Sequence, residues 1–360
     1  MTREPIDWKI AATVGRRVGG SDPIWASYKG AALQAELDEI APQAEAMVEA
    51  ATGLRSLAGP ARIVVVDRAG WVDANVASFR RLLRPITDSL GARLSPGPIA
   101  ALGAAATGAE LGALLGWMSG RVLGQYDLLV PEEAASPHGD DTDVVYLVGP
   151  NLLSLEKRFD LPPHEFRLWV TIHELTHRAQ FTGVPWMREH YQGLVATVLG
   201  AAPTDVRSVI AGLARSLGEF AAGRNPLDDG GIPALIADAN QIDALRRVGG
   251  LMSLLEGHGD VTMDRAAGGL IPSAERFQRL LSARRGDRSA VPRLISQLLG
   301  MDAKMRQYEA GEVFVHAVEA AGGRDLFDLV WADPRNLPTR TDIESPAAWI
   351  TRMQPAAVAA

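Results

Sequence analysis

Between Phe166 and Phe181 apolar side chains occupy nearly every face of a helical wheel, with Phe166, Trp169, Val170, Ile172 and Leu175 the bulkiest. A helix apolar all round is a buried one. Asp160, Pro162 and Pro163 supply its entrance signals, and Gly183-Val184-Pro185 stops it. Elsewhere the pattern has other periods. Ile6–Val18 is a short amphipathic helix halted at Gly19-Gly20, and Trp25–Ala51 is a second helix with Leu33, Leu37, Ile40 and Met47 on one side. Arg62–Arg68 is a β-branched run between Pro60 and Gly70 and predicts a strand, while Trp71–Leu83 returns to helical spacing.

Ile99–Gly124 predicts a helix rich in Ala, Gly and Leu, with glycines at 108, 112, 116, 120 and 124. Every fourth residue then lacks a side chain, and a neighbouring helix can pack unusually close. Tyr126–Val130 and Asp143–Val148 are two more strand candidates, and the acidic stretch Pro131–Asp143 between them reads as a mobile loop. Beyond Pro185 the spacing is helical over 187–200, 204–221, 233–267, 273–284, 290–321 and 324–332, followed by an extended segment and a final short helix over Asn336–Arg352. The expected fold is mainly α (α+β), a helical body with a small β-sheet beside the buried helix. The organisation read from this is an N-terminal helical region over 1–125 and a second region over 126–360, which can also join as one globular unit.

Composition narrows the function. The 360 residues contain no cysteine, which excludes disulfides and thiolate metal sites. The net charge of −7 leaves no broad basic footprint, so no nucleic-acid partner is expected. Glu110 and Arg121 argue against a membrane span in the glycine-striped helix. The opening residues lack the apolar core of a signal peptide, and a cytoplasmic protein is expected.

The buried helix carries the chemistry. His173, Glu174 and His177 are spaced as HExxH. Residues four apart stand about 40° apart around a helix, one turn above the other, so both imidazoles can reach one metal ion. Glu174 is then placed to act on a metal-bound water rather than on the metal. Catalytic zinc takes three protein ligands and a water. Gln180 and Gly183 exclude the HExxHxxGxxH route to the third ligand, so a carboxylate from a later helix is sought. Glu256 is the candidate, because Leu251, Leu254, Leu255 and Val261 make its helix mostly buried. Asp260, one turn on, is the candidate for holding a ligand histidine by its other ring nitrogen. Gly249, Gly250, Gly257 and Gly259 would let two metal-bearing helices approach closely. His258 is the rival ligand and Glu189 a weaker one, while His138, His164 and His316 read as solvated or structural.

The HExxH helix, EGHGD at 256–260, LGQYDLL at 123–129 and MRQYEAGEVFV at 305–315 together resemble the zincin-like metallopeptidase family common in actinobacteria. IDWKIAATVGRR at 6–17 is similar to the branch associated with biosynthesis of the deazaflavin redox coenzyme. The resemblance spans residues 5 to 353 or so and implies a zincin-like, mostly helical fold and a zinc peptidase activity. The E-x-x-x-D pattern is also similar to the glutamate-zincins typified by thermolysin, which implies Glu256 as ligand and Asp260 behind it.

The expected function is that of a zinc-dependent peptidase acting on a peptide or protein. His173, His177 and Glu256 hold Zn²⁺, Glu174 is general base toward the bound water, and Tyr308 or His258 stabilises the oxyanion. The strand at 143–148 is the expected edge for an extended substrate. Two alternatives stay open: a non-catalytic zinc-stabilised binding protein, and a hydrolase of a small amide or ester in a coenzyme pathway.

Overall fold

The computed structural model describes residues 4–91, 97–127, 143–200, 239–286 and 301–357. They divide into two compact units, Met1–Ala179 with Ala266–Ala274, and Gln180–Arg265 with Glu275–Ala360. The predicted helix 204–221, the segment 290–300, His138 and all but the end of the acidic stretch 131–143 lie outside the described residues.

In the first unit α1 (Trp8–Gly19) is capped by Asp7, whose carboxylate accepts from the backbone N–H of Lys9 and Ile10, and it ends at Gly20 with φ 62°. A 3₁₀ turn, Pro23–Ala26, precedes α2 (Tyr28–Thr52), which buries Leu33, Leu37, Ile40 and Met47 as their spacing predicts. Strand β1 (Ile63–Val66) leads into α3 (Arg68–Gly91) and then α4 (Pro98–Ser119).

α4 runs parallel to α1 in a matched register of fours. A Cβ on Gly108, Gly112 or Gly116 would lie 2.3, 2.3 and 2.4 Å from the backbone oxygens of Asp7, Ala11 and Gly15. Only hydrogen fits at these positions, so the two backbones touch. Trp8, Trp71, Val72 and Leu115 then close a core around the contact. Among the described residues α4 alone is long and apolar enough to cross a membrane. Its glycine face is committed to α1, whereas Ile99 and Leu102 are exposed.

The stripe ends sooner than its spacing predicts. The helix stops at Ser119, and Gly124 opens strand β2 (Gly124–Tyr126) instead of closing the helix. The strand expected at Tyr126–Val130 therefore begins two residues earlier. Strand β3 (Val145–Val148) lies in the middle of a three-stranded sheet of order β1-β3-β2, parallel to β1 and antiparallel to β2. A central strand with Val145, Leu147 and Val148 all buried accounts for the nearly unbroken apolar run in the sequence. It also overturns the expectation that 143–148 receives a substrate, because both its edges are already paired. The outer edge of β1 is engaged as well. Gln34 donates to the Ile63 oxygen at 2.9 Å and accepts from the Val65 N–H at 2.8 Å, as a strand would. Among the described residues β2 is the last strand on the other side of β3.

Helix α5 (Gly149–Phe159) follows β3 directly and has no counterpart among the predicted elements; Pro150 occupies its first turn. Asp160 ends it in the left-handed region at φ 48°. Helix α6 (Pro163–Thr182) begins at the predicted prolines and carries HExxH.

The second unit contains α7 (Met187–Gly200), α8 (Ala239–Ala267), most of α9 (Ala274–Gly286), α10 (Met301–Ala332), α11 (Arg340–Glu344) and α12 (Pro346–Ala357). α10 breaks at Gly322 and Gly323, where the spacing predicts a join. Two of the α8 glycines, Gly250 and Gly257, pack against C-terminal segments. A Cβ on Gly257 would lie 2.1 Å from the Gly311 carbonyl carbon, and one on Gly250 would lie 2.7 Å from the Pro338 oxygen. Trp349, fully buried, donates its indole N–H to the Asn336 oxygen at 2.7 Å and anchors α12.

The α1–α4 contact gives a direct test. Gly116→Leu places carbon against a backbone carbonyl that cannot rotate away, and it should cost about 3 kcal/mol, the upper end of overpacking penalties. Urea unfolding of the variant measures this; an unchanged midpoint would contradict the helix contact.

Candidate metal centre

α6 is held at a fixed rotation by charges that its own sequence neighbours cannot satisfy. Arg167, buried, forks onto Glu156 at 2.8 and 2.7 Å and also pairs with Glu36. Arg178, 1 % exposed, follows His177 directly. Its guanidinium grips Asp143 at 2.9 and 2.5 Å, Glu45 at 2.7 Å and the Gly59 oxygen at 2.7 Å. A buried guanidinium is tolerated only with this density of acceptors. Phe166, Trp169, Ile172 and Leu175 fill the remaining faces, all buried. The helix therefore cannot roll without stripping charges or exposing rings.

That fixed rotation presents the two histidines together. His173 and His177, both half-buried, have their rings edge-to-face with centroids 4.6 Å apart, and their Nε2 atoms are 3.2 Å apart. Two imidazoles bound to tetrahedral zinc at the usual Zn–N length have nitrogens roughly 3.3 Å apart. The pair thus has the spacing that zinc requires. Among the described residues His173, His177 and Glu256 form one group of potential metal ligands, one ligand atom from each, and these atoms all lie within 4.8 Å of one another. Two neutral nitrogens and a carboxylate are a zinc-type donor set, leaving room in four-coordination for water. Glu174 is buried beside them at 6 % exposure.

The other candidates are distributed as follows. Asp260 lies one turn past Glu256 on α8, half-buried, and Asp264 another turn on. Burial, then the charges of Glu312 and Asp260, push the Asp264 carboxyl above its ordinary range. His258 is buried, stacked on Phe327 and tilted against Trp331 at 5.3 and 5.1 Å between ring centroids. The Gln180 amide nitrogen donates to the Leu255 oxygen at 3.0 Å, which fixes its orientation, and lies 2.9 Å from His258 Nδ1. His258 Nδ1 is therefore an acceptor and the ring carries its proton on Nε2. Tyr308 lies within α10, but its side chain is outside the described residues. Glu189 is exposed in the first turn of α7, His164 is exposed at the start of α6, and His316 is exposed at 3.8 Å from Glu312.

Sequence reasoning missed Arg178, Gln180 and Gly124. Arg178 and Gln180 stand inside WVTIHELTHRAQF, and a charge and an amide in so apolar a helix are themselves signals of buried partners. Gly124 stands in LGQYDLL and reads by spacing as the last glycine of the helical stripe, which hides its place beside Glu174.

Comparison with known proteins bears on the family and the fold. A search of curated proteins finds no match. Among solved structures, the chain is similar to a protein from Chloroflexus aurantiacus described as "a putative hydrolase with a novel fold", at 28% identity and a TM-score of 0.68, covering 97% of this chain and 98% of that one. The family described as zincin-like metallopeptidase matches residues 6–350, nearly the whole length. With HExxH on a buried helix, a mainly helical body and a small sheet beside it, the chain belongs to the zincin-like metallopeptidase family.

Proposed function

We propose that the protein is a zinc-dependent peptidase in which His173, His177 and Glu256 hold the metal. The observation that carries this is the grouping of two imidazole nitrogens and a carboxylate oxygen within 4.8 Å. Zinc, when bound, supplies a Lewis acid that polarises a carbonyl and lowers the pKa of a coordinated water to about 7. The remaining roles fall to side chains. Glu174 accepts the proton of the attacking water and returns it to the leaving amine. Its burial keeps bulk water from competing for that proton. Asp260 orients a ligand histidine, and Tyr308 donates to the oxyanion. The cytoplasmic setting belongs to the same proposal. The likeness of 6–17 to the coenzyme-associated branch implies neither that the chain binds that coenzyme nor that it makes it.

Purified protein should contain about one zinc per chain, and His173→Ala/His177→Ala should contain none. Stoichiometric zinc in the double variant, read by metal analysis, would remove the site assignment. Glu174→Gln should keep its zinc and lose hydrolysis of a peptide library read by mass spectrometry, by on the order of 100-fold or more. Full activity in that variant would rule out the general-base role.

The α8 carboxylates separate by chelator competition. Glu256→Ala should lose zinc on dialysis, whereas Asp260→Asn should hold it roughly 10–100-fold more weakly. His258→Ala should keep its zinc. Loss of metal from His258→Ala but not from Glu256→Ala would make His258 the third ligand.

A further inference from the structure

The segment LGQYDLL supplies none of the groups proposed to hold the metal or move the proton, yet its described residues are tied down on three sides. The Leu123 oxygen accepts from the Val148 N–H at 2.8 Å, and the Asp127 N–H donates to the Val144 oxygen at 3.1 Å. Positions 123 and 127 therefore turn their backbone toward β3, and the alternation of an antiparallel pair turns the backbone of Gly124 and Tyr126 the other way. The Gln125 amide donates to Asn75 Oδ1 at 3.2 Å. The Asp127 carboxylate, buried, accepts from the Ser78 hydroxyl at 3.0 Å. Tyr126 is buried. β2 cannot retreat from its place without breaking these contacts.

Gly124 faces the general base. A Cβ there would lie 2.6 Å from Glu174 Cγ and Oε1 and 2.7 Å from Cδ. Carbon does not approach carbon or oxygen so closely without one of them moving. The strand is pinned by Leu123, Gln125 and Asp127, and the helix by Arg167 and Arg178. What would have to shift is the Glu174 side chain, leaving its rotamer, and not either backbone.

We infer that Gly124 is a positioning residue: the missing side chain is the space in which the Glu174 carboxylate stands, and β2 fixes the general base. The consequence for catalysis rests on the zinc-peptidase reading, whereas the steric claim does not. A general base must be within about 2.6–3.2 Å of the proton it takes, and a misplacement of about 1 Å costs on the order of 100-fold. One methyl group at position 124 should therefore remove activity while leaving the metal ligands alone.

The test compares Gly124→Ala with wild type in the zinc-loaded full chain, by three readings. Zinc affinity by chelator competition should stay within about 3-fold, because no ligand is touched. A crystal structure should show the strand unmoved and the Glu174 carboxylate displaced by about 1 Å or more. Turnover of a peptide that wild type cleaves should fall by about 100-fold in kcat, with KM within a few-fold. A companion measurement separates steric position from general damage. Gly124→Ala should lower Tm by a few degrees in wild type and by almost nothing in a Glu174→Ala background, where the obstructing atoms are gone. A carboxylate unmoved in the crystal, or an equal Tm loss in both backgrounds, would overturn the inference. Full activity in Glu174→Gln would instead overturn the general-base reading and leave the steric result standing.

Discussion

Two imidazoles one turn apart on a buried helix, with ring nitrogens 3.2 Å from each other, are the constraint from which the rest of the site follows. Such a pair is costly to bury unless something draws the nitrogens together, and zinc does so at this separation. It also demands that the helix neither roll nor slide. A roll of one residue is 100° and would carry both rings away from a shared ion. Leu, Phe and Trp packing alone tolerates some sliding, because dispersion is non-directional. Arg167 and Arg178 do not. Each buries a positive charge whose acceptors come from α2, α5 and the segments at 59 and 143, so rotation of α6 would strand a charge in an apolar surrounding. The two guanidiniums make the helix rotation a near all-or-none property.

A second device recurs at a different scale. Where backbones must come close, the chain removes side chains in register. Gly108, Gly112 and Gly116 face Asp7, Ala11 and Gly15 in the first unit, and Gly257 faces Gly311 in the second. Gly124 uses the same absence for a different purpose, leaving room for a carboxylate instead of a helix. Substituting any of them adds the same methyl group, but what must yield differs: a backbone oxygen at 112 or 116, a flexible acidic side chain at 124. The first class should report in stability and the second in catalysis.

Much of this was legible in the sequence because it is local. HExxH, the prolines at 162 and 163, the break at 322 and 323 and the apolar run of β3 are all periodicity or punctuation, and all agree with the structure. The boundary at Ser119 was not legible. The every-fourth glycine pattern continues through 120 and 124 although the helix does not, since spacing records which positions lack side chains and not why. Pairing order was not legible either. That β3 is central, that Gln34 occupies one edge of β1 and that Gly124 meets Glu174 are contacts between residues 19 to 82 positions apart, for which no single stretch carries a signal. Arg178 falls between the cases. Its type and position announce a buried charge, but its acceptors at 45, 59 and 143 emerge only from the fold.

The central claim is an open zinc site of two imidazoles and one carboxylate. Zinc K-edge X-ray absorption on the purified full-length protein tests it most directly, because it counts scatterers without reference to any substrate. A first shell of about four nitrogen and oxygen atoms at 2.0–2.1 Å is expected, with the outer-shell pattern of two imidazole rings. A fit requiring three or more imidazoles would contradict it, since the third ligand would then be a histidine and Glu256 would have no place on the metal.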